Sequence, residues 1–209
     1  MAFADAQMRN AFVRKVFGIV FIQLLITVGV AYYAAWGVAF GIVLVISCVE
    51  KARRQFPLNV ILLGLFTLAE AWLVGMITSF HDIDAVLLAF LVTCAAVAGL
   101  TIFAINTKID ATKWGSMLGV LTIVLLVLVL AGLFFPFRSG SNKILYLAIS
   151  GLAALLFSAY LIYDIQAVMG GRRGAYSPDD YVAAAMSIYL DIVQLFIAIL
   201  SIIGLSNNN

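Results

Sequence analysis

VFGIVFIQLLITVGVAYYAAWGVAFGIVLVISCV, residues 16–49, is a run of 34 residues whose apolar character is broken only at Gln23, Thr27 and Ser47. As one helix it would extend about 51 Å at 1.5 Å per residue. That is too long for a hydrocarbon core about 30 Å thick, yet short for two spans and a turn. Charge decides between them. Arg14 and Lys15 precede the run, and Lys51, Arg53 and Arg54 follow it. Basic residues at both ends place both ends on the cytosolic side and require an even number of crossings. The run is read as a hairpin turning near Trp36-Gly37, with an unusually short second arm.

Outward from this hairpin, charged borders delimit five further spans. The full set is about 16–35, 37–50, 57–80, 85–105, 114–135, 144–169 and 181–205, all in one transmembrane domain covering 1–209. Composition agrees: 65% of the residues are hydrophobic, 11% are charged and the mean hydropathy is +1.16. A soluble domain carries about 25% charged residues. Ten of the 12 Lys and Arg residues fall on one side of a seven-span arrangement, with Arg138 and Lys143 on the other. The N-terminus is therefore expected in the cytosol and the C-terminus on the lumenal side. The first apolar run is much longer than a signal-peptide core of about 7–15 residues, so it is expected to be retained.

The net charge of +2 and the absence of a basic, aromatic-interleaved block argue against nucleic acid. Cys48 and Cys94 lie in apolar segments with no framework spacing, and are expected to be buried and to form neither disulfide nor metal site. The pairs Gly37/Gly41, Ala95/Gly99 and Gly115/Gly119 have the spacing that lets helices approach closely in lipid. Packing within one chain is the simpler reading, and a monomer is expected.

Ionisable groups inside spans are costly and are functional candidates by default. There are three: Glu70, Asp164 and Asp191. Asp164 lies roughly 9 Å and Asp191 roughly 15 Å from the cytosolic ends of their spans by helix rise. A short loop joins these two spans, so the carboxyl groups can meet. Ser187, Asp191, Gln194 and Ser201 share a face of the last helix, and Tyr160 precedes Asp164 by one turn, which suggests an inward polar seam. Two carboxyl groups in a dry setting are expected to share a proton and titrate as a unit. Such a pair suits a proton sensor or a cation site, and Arg53 and Arg54 are the candidates for a guanidinium latch. The alternative is that each carboxyl is a buried structural hydrogen-bonding group; for Glu70 the two readings stand level. His81 is read as a plain loop residue.

YLIYDIQAVMGG (160–171), SPDDYVAAAMSIYLDIVQLF (177–196), RRQFPLNVILLGLFTLAEA (53–71) and FVRKVFGIVFIQLLITV (12–28) resemble the Bax-inhibitor/lifeguard (TMBIM) family, nearest to its Golgi anti-apoptotic protein (lifeguard 4) branch. The resemblance runs over nearly the whole chain. It implies an all-α membrane protein in which a central seventh helix is wrapped by the other six. It also implies a pH-sensitive calcium or cation leak of Golgi or endoplasmic reticulum membranes that lowers stored calcium and inhibits apoptosis. Under it the paired aspartates are Asp164 and Asp191, the latch is Arg53 or Arg54, the conduction residues are Asp179 and Asp191, and Glu70 is the membrane glutamate. Calcium would be the permeating ion, with no cofactor; lipid, calcium, protons and cell-death regulators would be the partners.

Two departures stand out. Asp179 and Asp180 replace a pair of glutamates, and the connection between the first two spans is nearly absent. A non-conducting adaptor that binds cell-death regulators is the competing reading. An intramembrane aspartyl protease is a remote one: Tyr163-Asp164 matches half of the presenilin-type signature, but Ile188-Tyr189-Leu190 stands where Gly-x-Gly should precede the second aspartate. A seven-span zinc hydrolase needs several histidines and the chain has one. A retinal protein needs a lysine in the last span, which has none.

Overall fold

The computed structural model describes residues 34–134, 140–169 and 180–207. The first arm of the hairpin, Asp179 and the basic residues Arg9, Arg14, Lys15, Arg138, Arg172 and Arg173 lie outside them. The described residues are all-helical, with no strand. They form α1 (Ala34–Cys48), α2 (Glu50–Arg54), α3 (Leu58–Thr78), α4 (Ile83–Asn106), a 3-10 turn (Ala111–Trp114), α5 (Gly115–Phe134), α6 (Gly140–Val168) and α7 (Tyr181–Asn207).

Five of these, α3 to α7, are long and apolar enough to cross a membrane. Only 11–22% of the residues in their apolar windows are buried inside the protein. Side chains such as Leu68, Phe90, Ile123 and Leu155 point outward. A helix that shows Leu and Phe on its outer face is built for lipid, where each backbone group must find its partner within the segment.

Two expectations are corrected. Trp36 and Gly37 lie inside α1 rather than in a turn, because glycine is tolerated within helices in a membrane environment. Cys48 and Cys94 are free, as expected, but exposed rather than buried.

α7 packs against α1, α2, α3, α4 and α6. Ala39, Ile42 and Ile46 of α1 and Phe66 and Leu73 of α3 meet Val182 and Met186 at its N-terminal end. Ala85 and Ala89 of α4 meet Leu200 toward the other end. Within α7 only Tyr181, Ala185 and Ser206 are exposed. α6 is its principal neighbour and is itself buried against α5, through Leu118, Leu125, Ile149 and Leu156, and against α4 and the 3-10 turn, through Ala104, Ala111 and Ile162.

Of the glycines in the small-residue pairs, only Gly115 makes a close approach. A Cβ on Gly37, Gly41, Gly99 or Gly119 would meet nothing within 4 Å. Tight contacts occur instead where a glycine faces an aromatic ring. Gly115 lies against Tyr163, with its hydroxyl 3.3 Å from the Cβ position, and Gly204 lies against His81. His81 is thus a packing residue: its Nδ1 lies 3.1 Å from the Ile77 carbonyl and its ring closes on the end of α7.

A Cβ at Gly204 would sit 2.7 Å from His81 Cδ2. Gly204→Ala is therefore expected to destabilise the protein by about 1–3 kcal/mol, the usual cost of overpacking. Thermal unfolding in detergent should register a lower Tm, and His81→Ala in the same chain should restore most of it.

Candidate functional site

α6 and α7 carry two carboxyl groups into their shared interface. Asp164 and Asp191 are 7% and 6% exposed, and their side chains are hydrogen-bonded to each other. A carboxylate only accepts, so a hydrogen bond between two carboxyl groups requires one of them to carry a proton. Asp191 Oδ2 is buried without a hydrogen-bonding partner among the described residues. Acceptors in that position are rare in native interiors and call for an explanation.

The surrounding polar groups divide between this pair and their own partners. Tyr160, placed in the polar seam by its spacing, turns its hydroxyl to Thr122 Oγ1 of α5 at 2.8 Å. Ser201 donates to the Ile197 carbonyl of its own helix at 2.8 Å. Glu70 is buried at 7% exposure on the face of α3 that also carries Asn59, Phe66 and Leu73. That face looks onto α7, where Phe66 makes an edge contact with the Tyr189 ring at 6.0 Å.

The arginines lie elsewhere. Arg54 Nε and Nη2 donate to Asp180 Oδ1 and Oδ2 at 2.8 and 3.2 Å, and its Nη1 donates to Glu50 at 2.6 Å. Arg53 Nε lies 2.7 Å from Asp180 Oδ1, an ion pair by distance whose N–H is not aimed at the oxygen. Beside them Asn59 Nδ2 donates to the Tyr181 hydroxyl at 2.9 Å. These contacts tie α2 and the start of α3 to the first residues of α7. Asp180 and Asp191 are eleven residues apart, about 16 Å along the helix, so a guanidinium on one cannot touch the other. In this structure the arginines hold the N-terminal end of α7, and the aspartate pair lies about 16 Å further along it.

Asp180 and Gln166 are the site residues that inspection of ionisable groups within spans passes over. Asp180 falls just outside a span by sequence, and Gln166 carries no charge. Buried polarity was the available signal for Gln166, which sits two residues after Asp164 in an otherwise apolar segment.

Near the pair, an apolar crevice of about 590 Å³ opens between α3 and α4 over α7. Its threonines are spent on their own helices, Thr78 on the Gly75 carbonyl and Thr93 on that of Ala89. No group of three or more histidine, cysteine or acidic residues among the described residues could hold a metal ion.

Comparison with known proteins identifies the family. Residues 9–208 match the family model described as Inhibitor of apoptosis-promoting Bax1. Protein lifeguard 3 of Homo sapiens is 34% identical over 222 residues, spanning 96% of this chain and 70% of the relative. Its Mus musculus counterpart is 33% identical over 96% and 71%. The Golgi anti-apoptotic protein of Vaccinia virus (strain Lister) is 32% identical over 99% of this chain and 90% of its own length. Identity alone does not single out the Golgi branch, and an alignment of 222 positions against 209 residues means that the human relative carries residues this chain lacks. With its full length matched and its acidic pair seated between its two most buried helices, the chain belongs to the Bax inhibitor/lifeguard family.

Proposed function

We propose that this protein is a pH-sensitive calcium or cation leak of Golgi or endoplasmic reticulum membranes that lowers stored calcium and so restrains apoptosis. The observation that carries the proposal is the hydrogen bond between Asp164 and Asp191, made inside a helical membrane protein. The apoptotic role rests on family membership and on the names of the relatives.

The mechanism follows from charge. While the pair holds one proton, the hydrogen bond draws α6 and α7 together. Loss of that proton leaves two negative charges in contact, which repel by about 4 kcal/mol at a separation of about 4 Å and an effective dielectric of about 20. That is enough to move a closed-to-open ratio by about a thousandfold. The ionised pair then offers carboxylate oxygens, the ligands that hard cations such as calcium prefer. Asp191 Oδ2, buried without a donor, is suited to such a cation. Seven spans, with a first span at about 16–35, a cytosolic N-terminus and a lumenal C-terminus, would put the pair nearer the cytosolic face.

Arg53, Arg54 and Asp180 act as a separate latch in this scheme, restraining the cytosolic end of α7. Their side chains are 28%, 35% and 11% exposed, so the ion pairs are partly screened by solvent. Glu70 and Asp179 complete the acidic residues assigned to conduction.

Asp110, on the cytosolic loop, is a different kind of carboxyl. The Thr112 hydroxyl above all, then Lys113 and the Thr112 amide, hold it below the usual carboxylate range against a small opposing desolvation. Its contribution is present above its unfolded value and is lost only as pH falls through the lower folded one. A transition between about pH 5 and pH 8 therefore does not belong to it.

In liposomes holding the purified protein, calcium efflux should rise as pH rises over that interval, because deprotonation opens the path. Asp191→Asn should flatten the profile; a variant that keeps the wild-type pH dependence would sink the proposal. Asp180→Asn should act differently. Freeing both arginines loosens the latch and should raise efflux several-fold at every pH, while the midpoint stays put because the pair lies about 16 Å away along α7.

A further inference from the structure

Gln166 is buried at 9% exposure on the face of α6 away from Asp164. Two residues on a helix are about 200° apart, so the two side chains look in opposite directions, Asp164 to α7 and Gln166 to the loop between α4 and α5. Its amide is fully used there. Oε1 accepts from Ala111 N at 2.7 Å, and Nε2 donates to the Ala104 carbonyl at 3.1 Å and the Ile109 carbonyl at 3.0 Å. Ala104 O lies in the last turn of α4 and Ala111 N at the start of the 3-10 turn. These are the backbone groups that helix ends leave without partners. One side chain from α6 therefore closes both ends of the loop. Ile162, one turn earlier on the same face, packs with Ala104 and Ala111 around it.

We propose that Gln166 is the positioning residue of the aspartate pair: it pins α6 to the α4–α5 loop and thereby holds Asp164 within reach of Asp191. The loop is a firm anchor. Asp110 caps the 3-10 turn through Thr112 N at 3.2 Å and pairs with Lys113 at 3.6 Å. On another side of α6, Gly115 admits Tyr163 closely, so the register of α6 is fixed at two points that flank Asp164.

Among the described residues, the titratable and charged groups on α6, α7 and the elements packed against them are Glu70, Cys94, Tyr160, Tyr163 and Tyr189 within the helices; Cys48, Glu50, Lys51, Arg53, Arg54, Lys108, Asp110, Lys113, Asp180 and Tyr181 at one border; and His81, Asp82, Asp84, Lys143 and Tyr146 at the other. Gln166 is the group that fixes the position of Asp164 through hydrogen bonds to the α4–α5 loop.

This inference rests on the calcium-leak reading for its functional readout but not for its structural one. Gln166→Met keeps the length and removes all three hydrogen bonds; Gln166→Glu keeps the acceptor for Ala111 and loses the donated bonds when ionised. With α6 released and the carboxyls better hydrated, the efflux midpoint in liposomes should move toward acid by about one pH unit, a tenfold change, in Gln166→Met and by less in Gln166→Glu. A residue that only stabilises the fold would lower the Tm and leave the midpoint alone, and a wild-type midpoint in a folded Gln166→Met protein overturns the proposal. Should that variant not fold, the same comparison is made with Gln166→Glu, whose midpoint must then differ from wild type. Should the wild type pass no calcium, the leak reading fails on its own. The positioning role is then read from the infrared band of protonated aspartate in nanodiscs, whose pH dependence must differ between Gln166→Met and wild type; identical curves would overturn it.

Discussion

The hydrogen bond between Asp164 and Asp191 constrains the rest of the molecule. A carboxyl group facing lipid costs several kcal/mol, so a helix that carries one must be surrounded by protein. α7 meets that demand along nearly its whole length, with α1, α3, α4 and α6 covering it and only three of its residues exposed. The outer helices are free to show Leu, Phe and Val outward because the polar groups have been gathered inside. Under the proposed function, a proton on the pair is what allows two acidic groups to be gathered there.

The polar contacts around α6 and α7 divide by depth. At one border Arg53, Arg54, Asp180, Asn59 and Tyr181 join α2 and α3 to the start of α7. Gln166 joins α6 to the loop between α4 and α5. At the far end His81 closes on Gly204. The two helices that carry the pair are thus fastened separately, α6 through one loop and α7 through α2 and α3. Interactions across their common interface are what respond to the proton, and packed interfaces of this kind change between discrete arrangements rather than deforming smoothly.

Much of this was legible in the sequence. The borders of α3, α4, α5 and α7 fall within three residues of those read from charge, because a charged side chain marks the place where a helix leaves lipid. α6 begins four residues earlier than read, since Gly140 to Lys143 carry the helix past the last apolar residue. Asp164 and Asp191 were recognisable as ionisable groups in spans joined by a short loop. The turn at Trp36-Gly37 was misplaced because glycine punctuates soluble chains far more than membrane helices. Arg53 and Arg54 were read as latch candidates at the border after the second span, and they meet Asp180 there; the rise from Asp180 to Asp191 separates them from the pair. Gln166 escaped notice because the search was for charge, although a neutral amide buried in a span must also find every one of its partners.

The most direct test of the central claim is the protonation state of aspartate in the purified protein, read by infrared spectroscopy in nanodiscs with isotope-labelled aspartate. Below the midpoint of the efflux transition the account predicts one protonated aspartate per molecule, present in the wild type and gone when Asp164 and Asp191 are both changed to Asn. A wild-type spectrum without that band, or a band that survives in the double variant, would contradict it.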